Sequence, residues 1–192
     1  MRVGAEQRGR GRPGGASRAE VLGAARGMYR GGERIELSAL SARLGVSRPS
    51  IYRWFGSREG LVGEVVADEL SELARTVTGE GTTPSDAVMR LVHALAAARP
   101  LRRFLEQEGL VALRVLTSSA GHVQPRAVAL LTRFIDREVE AERLRPVSDS
   151  ATLAFAVVRL VEGFLYNDAA VGVRADIDRL RPLLEVLLAP AD

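Results

Sequence analysis

LSALSARLGVSRPSIYRWFGSREGL, residues 37–61, carries two short helical patterns around a glycine turn. Ser38 is placed to cap the first, since a serine hydroxyl takes a free backbone N–H of an opening helical turn. Ala39, Leu40 and Leu44 make the apolar side of that helix. Gly45 follows, the residue that most readily adopts the left-handed conformation of a helix stop. Ser47 is a second cap nine positions on, and Pro49 falls in the first turn, where a missing N–H costs little. Two short helices about a tight turn predict a helix-turn-helix. The second helix, Arg48 to Phe55, is basic and aromatic. Its N-terminal end suits a major groove, with Arg48, Ser50 and Arg53 able to reach base edges or phosphates. The plainer reading makes Tyr52, Trp54 and Phe55 core and the arginines a solvated face. Ile51 and Phe55 are expected in the core on either reading.

Outward from this block, Ser17–Arg18–Ala19–Glu20 is a capping box. It opens a helix in which Val21, Leu22, Ala25, Met28 and Tyr29 recur at helical spacing and which Gly31–Gly32 stop. This helix is expected to pack beneath the helix-turn-helix as scaffold. On the other side, Ser57 is expected to cap a fourth helix with Leu61, Val65 and Leu73 on its apolar side, running to about residue 78. Arg58 lies in its first turn, where free N–H groups already attract a phosphate. Such a helix joins a small head to the rest of the chain without a flexible linker. Residues 1–16 are rich in Gly and Arg and have little to bury, so a mobile arm is expected. Arg10–Gly11–Arg12–Pro13 has the core pattern of an AT-hook, suited to an A·T-rich minor groove, but four residues are a weak match and a generic basic arm on phosphates is the preferred reading.

All 27 basic side chains are Arg, and their distribution is uneven. Residues 1–60 carry 12 Arg against five acids, a net +7, while residues 61–192 carry 15 Arg against 19 acids, a net −4. A basic head on a mildly acidic body points to a polyanion at one end only. No apolar run reaches the ~20 residues of a membrane span, and the N-terminus lacks the apolar stretch of a signal peptide. The absence of cysteine excludes disulfides and thiol chemistry and fits a cytoplasmic protein.

Beyond the fourth helix the chain reads as helix throughout, with no strand pattern and no internal repeat. Thr83–Pro84 starts a segment with Leu91, Val92, Leu95 and Ala96, with His93 beside them. Pro100 to Gln107 and Gly109 to Thr117 are shorter segments. Arg126 to Arg143 is amphipathic through Val128, Leu131, Phe134, Ile135 and Val139. Long patterns follow over 148–168 and 176–188. Leu153, Phe155, Val157, Leu160 and Phe164 nearly surround the first, and Ile177, Leu180, Leu184 and Leu187 stripe the second. A helix apolar on several sides is buried on several sides. Such burial is either internal core or a four-helix interface between two copies, and the second fits a helix-turn-helix protein that pairs to match two half-sites.

Enzyme signatures are lacking. Gly56–Ser57–Arg58–Glu59–Gly60 has the serine at the wrong spacing for a nucleophile elbow, and there is no phosphate-binding glycine loop with Lys and no HExxH. Two His and no Cys argue against a transition-metal site. No catalytic residue, metal or cofactor is expected.

The helix-turn-helix resembles the DNA-binding domain of TetR-family transcriptional regulators. Leu40–Ala42, Leu44–Gly45–Val46–Ser47, Ile51–Tyr52–Arg53–Trp54–Phe55 and Ser57–Arg58–Glu59 with Leu61 carry the resemblance. Trp54 stands where the family more often has His, and Gly60 is a poor helix former at the start of the next helix. The body resembles, more loosely, the effector domain of the QsdR-type subgroup, through Phe104–Leu105–Glu106, Leu113 to Ser118 and Gln124–Pro125–Arg126. The resemblance implies an all-α protein. A three-helix helix-turn-helix domain at 17–62, preceded by the arm at 1–16, would join a larger helical effector-binding and dimerisation domain at 63–192. It implies a homodimeric repressor of operator DNA, released by a small apolar effector, an acyl or lactone compound in the QsdR-type case. The expected DNA contacts are Ser47, Arg48, Ser50, Tyr52 on phosphate, Arg53, Trp54 and Arg58. The expected ligand contacts are His93, Phe104, Leu113, Arg114, Phe134, Phe164, Tyr166 and Asn167. The rival reading is an effector-independent DNA-binding or architectural protein.

Overall fold

A computed structural model describes residues 16–77, 83–170 and 176–191, the side chains of 77 and 167–170 excepted. The expected basic arm, including Arg10–Pro13, lies outside the described residues. Ten α-helices form among them: α1 (Arg18–Gly31), α2 (Leu37–Leu44), α3 (Arg48–Phe55), α4 (Arg58–Val77), α5 (Pro84–Ala97), α6 (Arg99–Glu108), α7 (Leu110–Thr117), α8 (Val123–Glu140), α9 (Ser150–Ala170) and α10 (Arg181–Leu187). A 3-10 turn at Ile177–Leu180 leads into α10, and no strand occurs among the described residues.

Local chemistry accounts for most of these boundaries. The Ser17 hydroxyl accepts from the Glu20 N–H while the Glu20 carboxylate accepts from the Ser17 N–H, the reciprocal capping box. Gly32, at φ 73°, ends α1, and Gly45, at φ 63°, turns the chain from α2 towards α3. Ser47 caps α3 through the Ser50 N–H, and Ser57 caps α4 through the Gly60 N–H at 2.9 Å. Ser38 is not a cap: α2 starts one residue earlier, at Leu37, and no side chain caps it. The nearby Ser41 hydroxyl instead donates to the Val46 carbonyl at 2.7 Å, which ties the turn.

Gly60 is explained by space. A Cβ there would meet the Phe55 carbonyl oxygen at 2.1 Å, so the α3–α4 corner closes only over a bare Cα. Gly60→Ala is expected to cost about 1–3 kcal/mol, the usual price of overpacking, read as a shift in urea midpoint at unchanged slope. A variant as stable as wild type would show that the corner is not tightly closed.

The packing does not divide at residue 62. One apolar cluster runs from Val21, Leu40, Ile51 and Phe55 in the head through Leu61 and Val65 of α4 to Leu101, Phe104 and Leu116 of the body. Tyr29 of α1 and Phe104 of α6 meet edge-on across it, with ring centroids 6.2 Å apart. A second cluster, farther from the head, joins Met89, Ile135, Leu153, Val157, Leu180, Leu184 and Leu188. The stripe on α10 is therefore core of its own chain, since Leu180, Leu184 and Leu188 are fully buried there. The large apolar side chains that α9 and α10 leave exposed, among the described residues, are Phe155, Leu183 and Val186.

Candidate nucleic-acid interface and ligand cavity

Helix α3 turns Ile51 and Phe55 inward and leaves Arg48, Pro49, Tyr52 and Arg53 on the surface, with Tyr52 half exposed. Ser47 and Ser50 are bound to each other, Oγ to Oγ at 2.9 Å, as well as through the cap. Trp54 is half-buried and packs on the head core. Thus the outward face of α3 is Arg48, Tyr52 and Arg53, with the two serines at its N-terminal edge.

Ion pairing sorts the arginines of the head. Arg18 binds the Glu64 carboxylate and lies 4.7 Å over the Phe55 ring. Arg26 reaches Asp68 at 3.3 Å and Glu69 at 3.0 Å. The Nε of Arg30 donates to both Glu69 oxygens at 3.0 Å, and its Nη2 donates to Glu72 at 2.9 Å. Arg34 pairs with Glu36 at 3.2 Å. Among the described residues of the head, Arg43, Arg48 and Arg53 make no ion pair, and all three are exposed. Their charge is uncompensated, on the last turn of α2 and on the exposed side of α3. Arg43 was not singled out from sequence, because nothing in its local pattern separates it from the paired arginines.

Arg58 departs from its expected place on phosphate. Its Nε donates to the Ile35 carbonyl at 2.6 Å, Nη1 donates to Glu108 Oε2 at 2.8 Å, and Nη2 donates to Glu108 Oε1. Its side chain is 15% exposed and that of Glu108 only 4%. Hydrogen bonding to Glu108 raises the Arg58 pKa further, against the opposing effect of burial. The guanidinium is a pin between the turn before α2, the start of α4 and the end of α6, with no free fork left for DNA.

The body holds a partly open cavity of about 230 Å³. Leu70 and Ala74 of α4, Val88, Leu91, Val92 and Leu95 of α5, Leu116 of α7, and Val157, Val158 and Val161 of α9 form apolar walls. Helix α8 contributes one continuous face: Val123, Gln124, Ala127, Leu130, Leu131, Phe134 and Arg137. Polar lining comes from Gln124, Glu162 and Tyr166, and from Arg75, Arg133 and Arg137. Burial raises the Glu162 pKa, opposed by the Arg159 guanidinium, whose Nη1 donates to it at 2.8 Å. Burial likewise pushes the Tyr166 phenol upward.

Of the residues expected to contact a ligand, the cavity takes Phe134 and Tyr166. The others lie elsewhere. Phe104 is committed to Tyr29 in the shared head–body core. Leu113 packs on that core and Phe164 on the second cluster, neither lining the cavity. His93 is on the outer side of α5, its Nε2 3.4 Å from Asp178 Oδ1. Arg114 is exposed, so its apolar neighbours in sequence do not bury it. Asn167 lies in α9, but its side chain is outside the described residues. The reading missed Gln124 and Glu162. Both are buried polar side chains in the wall, and their signal was a polar residue on an otherwise apolar helix face.

Residues 22–65 match the family model described as bacterial regulatory proteins, tetR family, and residues 59–189 match one described as tetracyclin repressor-like, C-terminal domain. Among solved structures, the R. erythropolis transcriptional repressor QsdR from the TetR family is similar at 25% identity, covering 91% of this chain and 95% of that one, with a TM-score of 0.83. A TetR-family transcriptional regulator from Pectobacterium atrosepticum is 21% identical over 91% and 95% of the two chains, with a TM-score of 0.56. The TetR family repressor AlkX from Dietzia sp., implicated in biodegradation of n-alkanes, is 19% identical over 93% and 98%, with a TM-score of 0.56. The last two show likeness of fold. No curated protein sequence matches the chain. No described helix is long and apolar enough to cross a membrane.

Proposed function

Since the chain belongs to the TetR family of bacterial regulatory proteins, whose members are DNA-binding regulators and not enzymes, we propose that it is a one-component cytoplasmic repressor. A homodimer binds operator DNA through α3, and a small apolar effector in the body cavity releases it. An acyl or lactone compound is the effector class that the QsdR-type resemblance implies. The observation that carries this reading is the coexistence, in one chain, of an unpaired Arg43–Arg48–Arg53 surface around Tyr52 and a mainly apolar, partly open cavity. An architectural DNA-binding protein has no use for the cavity.

The DNA contacts proposed are Arg43, Ser47, Arg48, Ser50, Tyr52 and Arg53. Trp54 supports α3 from its half-buried side, and Arg58 acts at a distance by holding α4. The test is selection of a binding site from random duplex DNA, followed by affinity measurements across salt. Arg43→Ala is expected to weaken all sequences alike and to reduce the salt slope by about one unit, as for a phosphate contact. Arg48→Ala or Arg53→Ala is expected to relax preference at one base position, at about 1–3 kcal/mol of discrimination. Unchanged affinity in the triple alanine variant would remove α3 as the reading helix.

A further inference from the structure

Gln124 is the anomaly of the cavity wall. It stands in the α8 face between Val123 and Ala127, Leu130, Leu131 and Phe134, all apolar. The residue is only 3% exposed, and its Nε2 has no hydrogen-bond partner. Glycine or an aliphatic residue would complete the wall without leaving a donor stranded. Buried donors normally find a partner, because water otherwise lost must be replaced. The amide N–H groups therefore lack an acceptor in the chain, and because Nε2 makes no bond, a turn of the side chain towards the cavity would bring it to a ligand acceptor at no loss of a hydrogen bond.

The wall around it limits the acceptor's charge. Glu162 and Tyr166 of α9 line the same cavity, and the Glu162 carboxylate is 7% exposed, already bonded to Arg159. A second carboxylate beside Glu162 would meet like charge in a poorly solvated place. Arg75 of α4 and Arg133 and Arg137 of α8 also line the cavity, but all three are exposed, and Arg133 and Arg137 lie nine and 13 residues beyond Gln124. At the helical rise that puts Arg133 about 14 Å from Gln124. The volume of about 230 Å³ exceeds the ~150 Å³ of an apolar cavity that takes a benzene-sized ligand.

We propose that Gln124 donates to an uncharged oxygen of the effector, so that the ligand is a neutral, compact aliphatic molecule with a carbonyl at its Gln124 end and its chain directed towards Arg133. This rests on the reading of the cavity as an effector site, and it narrows that reading to neutral carbonyl compounds against fatty-acid anions.

The test uses the full chain and calorimetric titration with 2-octanone and octanoate, which share a chain and differ in charge at the oxygen end. Wild type is expected to bind 2-octanone at least about tenfold tighter than octanoate. Gln124→Leu, which removes the stranded donor at similar volume, is expected to weaken 2-octanone about five- to tenfold, as loss of one neutral hydrogen bond does. Gln124→Met serves as the second variant if Gln124→Leu does not fold. Tighter binding of octanoate, equal binding of 2-octanone by wild type and variant, or no binding of either compound would overturn the assignment. Release of a selected DNA duplex is measured separately. If 2-octanone binds through Gln124 and leaves DNA affinity unchanged, the repressor reading falls and the assignment of Gln124 stands.

Discussion

Glu108→Ala is expected to destabilise the chain by about 3 kcal/mol, because removing one partner of a buried ion pair strands the other. The carboxylate is 4% exposed and takes two N–H groups of Arg58, whose side chain is 15% exposed. Arg34 Nε lies 3.5 Å from the same carboxylate, too loosely placed and too exposed to replace it. Arg58→Ala should cost a similar amount and should lower operator affinity only in proportion to folded protein. Arg58→Met with Glu108→Leu should recover much of the loss, since two apolar groups leave no charge behind. The measurement is urea denaturation of both single variants and the double. A Glu108→Ala variant within about 0.5 kcal/mol of wild type would mean that the pin contributes little and that Arg58 is free to serve as a phosphate contact.

The second large effect separates the core of one chain from the surface between two. Leu184→Ala is expected to lose about 2–5 kcal/mol, the range for deleting a buried leucine into a cavity, since Leu184 is fully buried in the second cluster of its own chain. Phe155→Arg and Val186→Arg should act differently. These side chains are 46% and 71% exposed; Val186→Arg leaves the isolated chain about as stable, and Phe155→Arg costs it about 1 kcal/mol through loss of the Arg159 guanidinium stacked 5.2 Å over the ring. At a face between copies, the same arginine would be buried without a partner. Both variants are therefore expected to sediment as folded monomers where wild type sediments as a dimer. If both sediment as wild type does, α9 and α10 are not the pairing surface.

Periodicity leaves Leu184 either internal core or an interface between two copies, and the structure puts it in the core of its own chain. Apolar spacing shows that a side of α10 is buried but carries no record of what buries it. The chain folds α10 back on α5 and α9, and Leu180, Leu184 and Leu188 go into that junction. Residues off the stripe, Leu183 and Val186, are the exposed ones. The same limit applies to Arg114 and His93. Each has apolar neighbours in sequence, yet a helix turns a residue to any side, and both point outward. Gln124 was missed because the expected helix began at Arg126. With the true start at Val123, it falls on the cavity face three residues before Ala127.

The sequence by itself determined what neighbouring residues settle among themselves. The Ser17, Ser47 and Ser57 caps, the left-handed Gly32 and Gly45, and the short α2–α3 pair all follow from contacts within about four positions. Those contacts are the same wherever the segment sits, so they are legible without the fold. Only the tertiary structure decided which arginines keep a free charge and which wall of the body stays hollow. Arg58 meets Glu108 across 50 positions and Arg30 meets Glu69 across 39, while Arg48 and Arg53 meet no carboxylate. One side-chain type thus becomes a structural pin or an uncompensated surface charge according to what long-range packing brings within about 4 Å, where a charge pair is held by direct hydrogen bonds.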